Sequence, residues 1–163
     1  MSINLIMKNL GFLVLLILSF SVNTVFAQET DEKETEQRLQ NKYMQFLKEE
    51  GFMPSVDDDG DVKFKSEGDS YYLSPYGKDP LFFSLVRYLK NTDEVHSLKI
   101  FEAVNKANFA YKTVGVYLTS NDKSIIINAA SYLANEDDFK RIFYRSLKNA
   151  RKATQLFLDE YNK

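Results

Sequence analysis

Four carboxylates crowd into five positions at Asp57-Asp58-Asp59-Gly60-Asp61. Hard oxygens at that density are what calcium asks for. A loop of the EF-hand type needs ligands at its first, third, fifth and twelfth positions and glycine at its sixth. With Gly60 in the sixth place, Asp57 and Asp59 fall on ligand positions. Ser55 then stands first, and Ser66 stands where the bidentate glutamate belongs. The run therefore reads as a solvated hairpin turn, and no metal ligand is assigned. His96 is the sole imidazole. Acid–base work or zinc binding built on histidine would need partners that the chain lacks. The chain has no cysteine, which removes thiolate nucleophiles, cluster ligands and disulfides. The nucleophile elbow Gly-x-Ser-x-Gly does not occur. A carboxylate pair is the one catalytic device left, and it would suit glycoside hydrolysis. Yet the acidic residues fall in predicted turns, helix ends and a polar arm, where solvation accounts for them. A carboxylate-dependent hydrolase is thus the competing expectation, with no catalytic residue and no cofactor assigned.

Arg141, Arg145, Lys148 and Lys152 follow at spacings of four, three and four. They form one basic ridge on a helix, suited to anionic lipid or an acidic peptide. Asp159 and Glu160 follow, and no aromatic interleaves the ridge. The ridge reads as the polar face of an amphipathic helix; a membrane-surface protein is the third expectation. With 21 basic and 23 acidic residues, the chain lacks the basic surface that general nucleic-acid binding requires.

These residues must be positioned by a fold. The N-terminus carries Lys8, an apolar run Leu10 to Phe20 and the small-residue end Val25-Phe26-Ala27. That order is a secretory signal. Its apolar core is shorter than the ~20 residues that span a bilayer. Cleavage after Ala27 and an exported location, periplasmic or secreted, are expected. Residues 28–36 are polar throughout and read as a flexible arm. Residues 37–163 read as one domain. A helix is predicted over about 34–50, with Leu39, Tyr43, Phe46 and Leu47 as its apolar stripe. Gly51 stops it. A short extended piece at 52–56 precedes strands at Val62 to Lys65, Tyr71 to Tyr76 and Leu81 to Leu89. A helix over about 92–110 carries Leu98, Phe101, Val104 and Asn108, with Ile100, Ala103 and Ala107 beside them. Asn105 and Asn108 on it are expected to lock the helix to the next strand. Strands follow at 112–118 and 124–133. Asn135 is expected to cap a last helix reaching Tyr161. The order α-β-β-β-α-β-β-α means an α+β domain, a mainly antiparallel sheet with helices packed on one face.

The chain resembles a YbjN-type domain, a relative of the type III secretion chaperone-like fold. Gly51-Phe52, Asp59-Gly60-Asp61-Val62-Lys63-Phe64-Lys65 and Gly68-Asp69-Ser70-Tyr71-Tyr72-Leu73 carry the resemblance. Asp79-Pro80-Leu81-Phe82-Phe83 and Ala103-Val104-Asn105-Lys106-Ala107-Asn108 continue it. It implies the same element order and a strand at Leu81 to Leu89. It implies little biochemistry, although the chaperone relatives bind unfolded segments of secreted proteins as dimers. Those relatives are cytoplasmic, and the export signal here is a departure from them.

Strand alternation divides the sheet. Val62, Phe64, Leu73, Phe83, Leu85, Val114, Val116, Ile125 and Ile127 point to one side, expected beneath helices. Lys63, Lys65, Tyr72, Ser74, Phe82, Ser84, Val86, Tyr88, Tyr117, Ile126, Asn128 and Tyr132 point to the other. Tyrosine gives large contact area with a wet end, which suits interfaces. Tyr72, Phe82, Tyr88, Tyr117 and Tyr132 are therefore the candidate partner-binding residues. Their face is taken by another polypeptide, a second copy included, or is covered by the chain's own first or last helix, or is merely exposed.

Overall fold

The computed structural model describes residues 30–90, 98–119 and 124–163. The segment read as a secretory signal, His96 and the residues 120–123 read as a turn lie outside the described residues. Among the described residues, three helices and six strands follow in chain order. They are α1 (30–49), β1 (Ser55–Val56), β2 (Val62–Ser66), β3 (Asp69–Leu73), β4 (Phe82–Lys90), α2 (Leu98–Ala110), β5 (Val114–Leu118), β6 (Ser124–Tyr132) and α3 (Asp138–Tyr161). The strands form one sheet in the order β1-β2-β3-β4-β6-β5. Every neighbouring pair is antiparallel. The expected α+β class and antiparallel sheet are what the chain forms.

Alternation sets the sheet's two sides as read. Val62, Phe64, Tyr71, Leu73, Phe83, Leu85, Val114, Val116, Ile125 and Ile127 are all buried. They join one core with Leu39, Tyr43, Phe46 and Leu47 of α1 and Phe139, Phe143 and Leu147 of α3. Phe139 is the hub where α1, α3 and sheet meet. Its ring lies 4.9 Å from Tyr43, 5.0 Å from Phe46 and 6.4 Å from Phe83. Phe143 packs on Phe46 at 5.1 Å and Phe64 at 5.6 Å. Aromatic pairs of this kind add about 0.5–1.5 kcal/mol each beyond the area they bury.

The polar segment read as a flexible arm is helical from residue 30. Two forces outweigh its lack of apolar residues. Glu, Lys and Gln are good helix formers, and the packed turns after Leu39 have already met the nucleation cost. The helix start is also held down. Lys78 pairs with Glu32 at 3.8 Å, and the chain at Gly77 passes close against it. A Cβ on Gly77 would collide with the Glu32 carbonyl oxygen and sit 2.8 Å from Glu36 Cγ. Only glycine permits that approach.

The start of α3 also differs from expectation. Asp137, not Asn135, is the N-cap, and it makes no side-chain cap bond. Asn135 Oδ1 accepts the Asp137 N–H at 3.1 Å in the turn before the helix. Glu136 serves α1 rather than the helix dipole: it pairs with Arg38 and, at 3.0 Å, with Lys42. Arg38's hydrogen bond leads in holding the Glu136 carboxyl below its ordinary range. On α2, Ile100, Ala103 and Ala107 turn inward, while Leu98, Phe101 and Phe109 stay exposed. Small alanines bring α2 close to α3, where Lys106 pairs with Glu160.

Candidate functional site

The five candidate residues lie on one side of the sheet, and none belongs to the helix-packed core. Tyr88 stands opposite Ile126 on β6, and Ile126 stands opposite Tyr117 on β5. Tyr72 is one strand over, opposite Val86, with its ring 5.3 Å from Tyr88 in an edge-on contact. The Lys63 ammonium sits 5.7 Å from the centre of the Tyr72 ring, within cation–π range. At the other end of β4, Phe82 stands opposite Tyr132. Its ring lies 5.3 Å from Tyr132 and 5.2 Å from Tyr76. The structure thus divides the candidates into two groups, the ring pair Tyr72–Tyr88 with Tyr117 across Ile126 from it, and the ring pair Phe82–Tyr132. Tyr76 joins the second; the sequence reading placed it at the end of the strand Tyr71 to Tyr76 without singling it out, and the structure ends that strand at Leu73.

Between the clusters lies a floor of smaller groups. Ser84 Oγ donates to Asn128 Oδ1 at 2.9 Å. Asn128 stands opposite Val86 on one side and Gly115 on the other. Ser84 and Val86 are buried, whereas Tyr88, Tyr117 and Tyr132 are 47%, 44% and 75% exposed. Burial raises the Tyr88 phenol above its ordinary pKa. The Asp61 carboxylate and the Tyr117, Tyr76 and Tyr72 phenols push it the same way. Among the described residues, no helix packs on this face. Of the two occupants considered, the chain's own α1 and α3 are both committed to the opposite side, in the core.

The sheet edges are blunted against an added strand. β1 has two residues. On β5, the Asn108 side chain takes both main-chain groups of Val116. Its Nδ2 donates to the Val116 carbonyl at 2.8 Å, and its Oδ1 accepts the Val116 N–H at 2.7 Å. The helix thereby supplies, through one amide, the pairing that a further strand would make. The lock expected of Asn105 and Asn108 is made by Asn108; Asn105 is exposed.

The acidic run is a turn between β1 and β2. Asp57 Oδ1 accepts the N–H groups of Asp59 at 3.1 Å and Asp61 at 2.9 Å. No group of three or more metal-ligating side chains gathers among the described residues. A cleft of about 360 Å³ opens between this turn and α1, with Glu36, Asp59 and Asp61 along its wall. Burial raises the Asp61 carboxyl, against a Ser74 hydrogen bond that lowers it. On the basic ridge, Arg141 pairs with Asp138 at 3.7 Å, and Arg145, Lys148 and Lys152 are exposed. Among the described residues, no helix is long and apolar enough to cross a membrane.

No family model matches the chain, and no curated protein matches it. Among solved structures, an uncharacterized protein from Methanothermobacter thermautotrophicus is similar, with a TM-score of 0.55 and 16% identity. The match covers 76% of this chain and 96% of that one. At that identity the likeness is one of fold.

Proposed function

We propose that this is an exported, non-enzymatic domain that holds a polypeptide, a second copy of itself included, on the helix-free face of its sheet. One observation carries the reading: on that face Tyr88, Tyr117 and Tyr132 are exposed and Tyr72 is half-buried, with Tyr88 and Tyr117 flanking Ile126 and no helix above them among the described residues. Rings with a wet hydroxyl end stay soluble when free and bury large area when covered. Both sheet edges are blunted, so capture works through side chains rather than by strand addition. The resemblance to YbjN-type domains, whose chaperone relatives hold unfolded segments as dimers, supports the same reading. The apolar leader of residues 10–20 supports export.

The test is the pair Tyr88→Glu and Tyr117→Glu in one chain. The variant should keep the wild-type circular dichroism and melting curve. It should lose self-association in sedimentation equilibrium, or lose capture of a permanently unfolded model polypeptide. Wild type that sediments as a monomer and captures no unfolded chain overturns the proposal. The hydrolase reading would have to operate from the cleft beside Asp61, where burial favours the protonated carboxyl. Glycoside cleavage by wild type that disappears in Asp61→Asn would establish it in place of the binding reading.

A further inference from the structure

A second cleft, of about 520 Å³, lies on the helix-covered side, between α3 and the β2–β3 turn. It is remote in register from the tyrosine clusters. Its apolar wall is Phe52, Leu147 and the ring of Tyr144; its cationic wall is Lys148 and Arg151. Tyr144 is held there from outside, because its hydroxyl donates to Glu50 Oε2 at 2.5 Å. The Arg151 guanidinium is fixed but incompletely used. Nη1 donates to Glu67 Oε1 at 2.5 Å, and Nη2 donates to Ser66 Oγ. Nε is buried with no acceptor. Lys148 is exposed and has no ion-pair partner among the described residues. The volume falls in the range of small-molecule sites, which combine apolar lining with a few placed polar groups.

We propose that this cleft binds a small amphipathic anion. Its alkyl or aryl body would lie along Phe52, Tyr144 and Leu147. Its carboxylate or phosphate would sit on Arg151 and Lys148. Charge complementarity chooses the ligand class. Two cations and one carboxylate, that of Glu67, line the cleft, while the Glu50 carboxylate lies outside it on the Tyr144 hydroxyl, so the lining itself has room for a second negative charge. Arginine's planar donors take a carboxylate or phosphate in two parallel bonds. Nη1 and Nη2 form one such donor edge, held by Glu67 and Ser66. The incoming head group takes the Nη1 end of that edge as Glu67, on an exposed turn, gives way towards solvent.

The experiment is calorimetric titration of the purified protein with decanoate, decyl phosphate and decanol, all below aggregation. Decanoate or decyl phosphate should bind at one site, with decanol at least about tenfold weaker, since bonds to a charged group are worth that factor or more. The tighter of the two anions names the head group. Arg151→Gln should weaken the anions by about ten- to a hundredfold. Lys148→Glu, at an exposed position, should weaken them without disturbing the fold. Glu67→Gln should strengthen them, because a competing carboxylate is gone. The Tyr88→Glu and Tyr117→Glu pair should leave anion binding unchanged, which separates this site from the tyrosine face. No saturable binding of either anion, decanol binding as tightly as decanoate, or undiminished anion binding by both Lys148→Glu and Arg151→Gln overturns the proposal.

Discussion

The two faces of the sheet are built from the same strands, one residue out of step, and both are rich in rings. On the covered face Phe64, Tyr71 and Phe83 are buried. On the other, Tyr88 and Tyr117 are close to half exposed and Tyr132 is three-quarters exposed. Ring content alone does not tell a core from a docking surface. The hydroxyl does more. The covered side and its helices favour phenylalanine, as in Phe64, Phe83, Phe139, Phe143 and Phe157. The free side favours tyrosine, with Tyr72, Tyr88, Tyr117 and Tyr132. A ring that must meet water at times needs a group that water can bind.

The largest expected effect tests that contrast directly. Phe143→Ala removes a ring that touches α1, β2 and the segment after α1, and should cost about 3–5 kcal/mol in urea denaturation. Tyr88→Ala should cost under about 1 kcal/mol, because its ring is near the surface and leaves no enclosed cavity. Equal losses would mean that the free face is packed in solution, and the distinction between the faces would collapse.

A pH experiment sharpens the same contrast through buried Tyr43. Burial lifts its phenol from 10.0 to about 12. The folded state holds this proton more tightly than the unfolded chain does. The resulting stability is complete below pH 10 and disappears as the pH climbs towards 12. A shift of that size corresponds to about 2–3 kcal/mol. Stability followed by guanidinium titration between pH 9 and pH 12 (about two units around the unfolded phenol's value) should fall in wild type. The fall should be shallower in Tyr43→Phe. A wild-type curve that is flat over this window defeats the assignment.

Asn108→Ala comes next. The Val116 N–H and carbonyl lose their partner, and each orphaned group costs about 1–3 kcal/mol if water does not replace it. The substitution also opens the β5 edge. If association then rises and survives Tyr88→Glu with Tyr117→Glu, pairing has moved from face to edge. Loss of that association in the double variant keeps the face as the docking surface.

Much of this was legible in the sequence because strands announce their two sides. The alternation of Val62, Phe64, Leu73 and of Val114, Val116 placed the core face correctly, and with it the five candidate rings. Long-range geometry was not legible. Glu136 looks like a helix-start charge until Arg38 and Lys42, far away in the chain, are seen to claim it. The arm looks disordered until the 76–79 loop is seen against Glu32. Arg151 reads as one more cation on α3. Only the β2–β3 turn, folded back over it, turns it into the wall of a cleft. Whether a sheet face is bare is equally invisible to local pattern, since alternation names the faces and says nothing of what lies above them.

The smallest effect concerns the turn that keeps the faces apart. Glu67 and Gly68 join β2 to β3 with φ of 54° and 89°, the left-handed pair of a two-residue hairpin. Glycine accepts this freely; glutamate does not, at roughly 1–2 kcal/mol. Asparagine tolerates the conformation better, so Glu67→Asn relieves part of that strain. It also forfeits an exposed pair with Arg151, worth about 0–1 kcal/mol. The balance should be a gain of a few tenths of a kcal/mol, up to about 1 kcal/mol. A one-residue slip here would exchange the sides of β2 and carry Lys63 away from Tyr72. The variant should therefore leave the accessibility of Tyr72 to iodination unchanged while the melting temperature rises. A lower melting temperature would show that the Arg151 pair, rather than the backbone of the turn, is what fixes the register of β2 on β3.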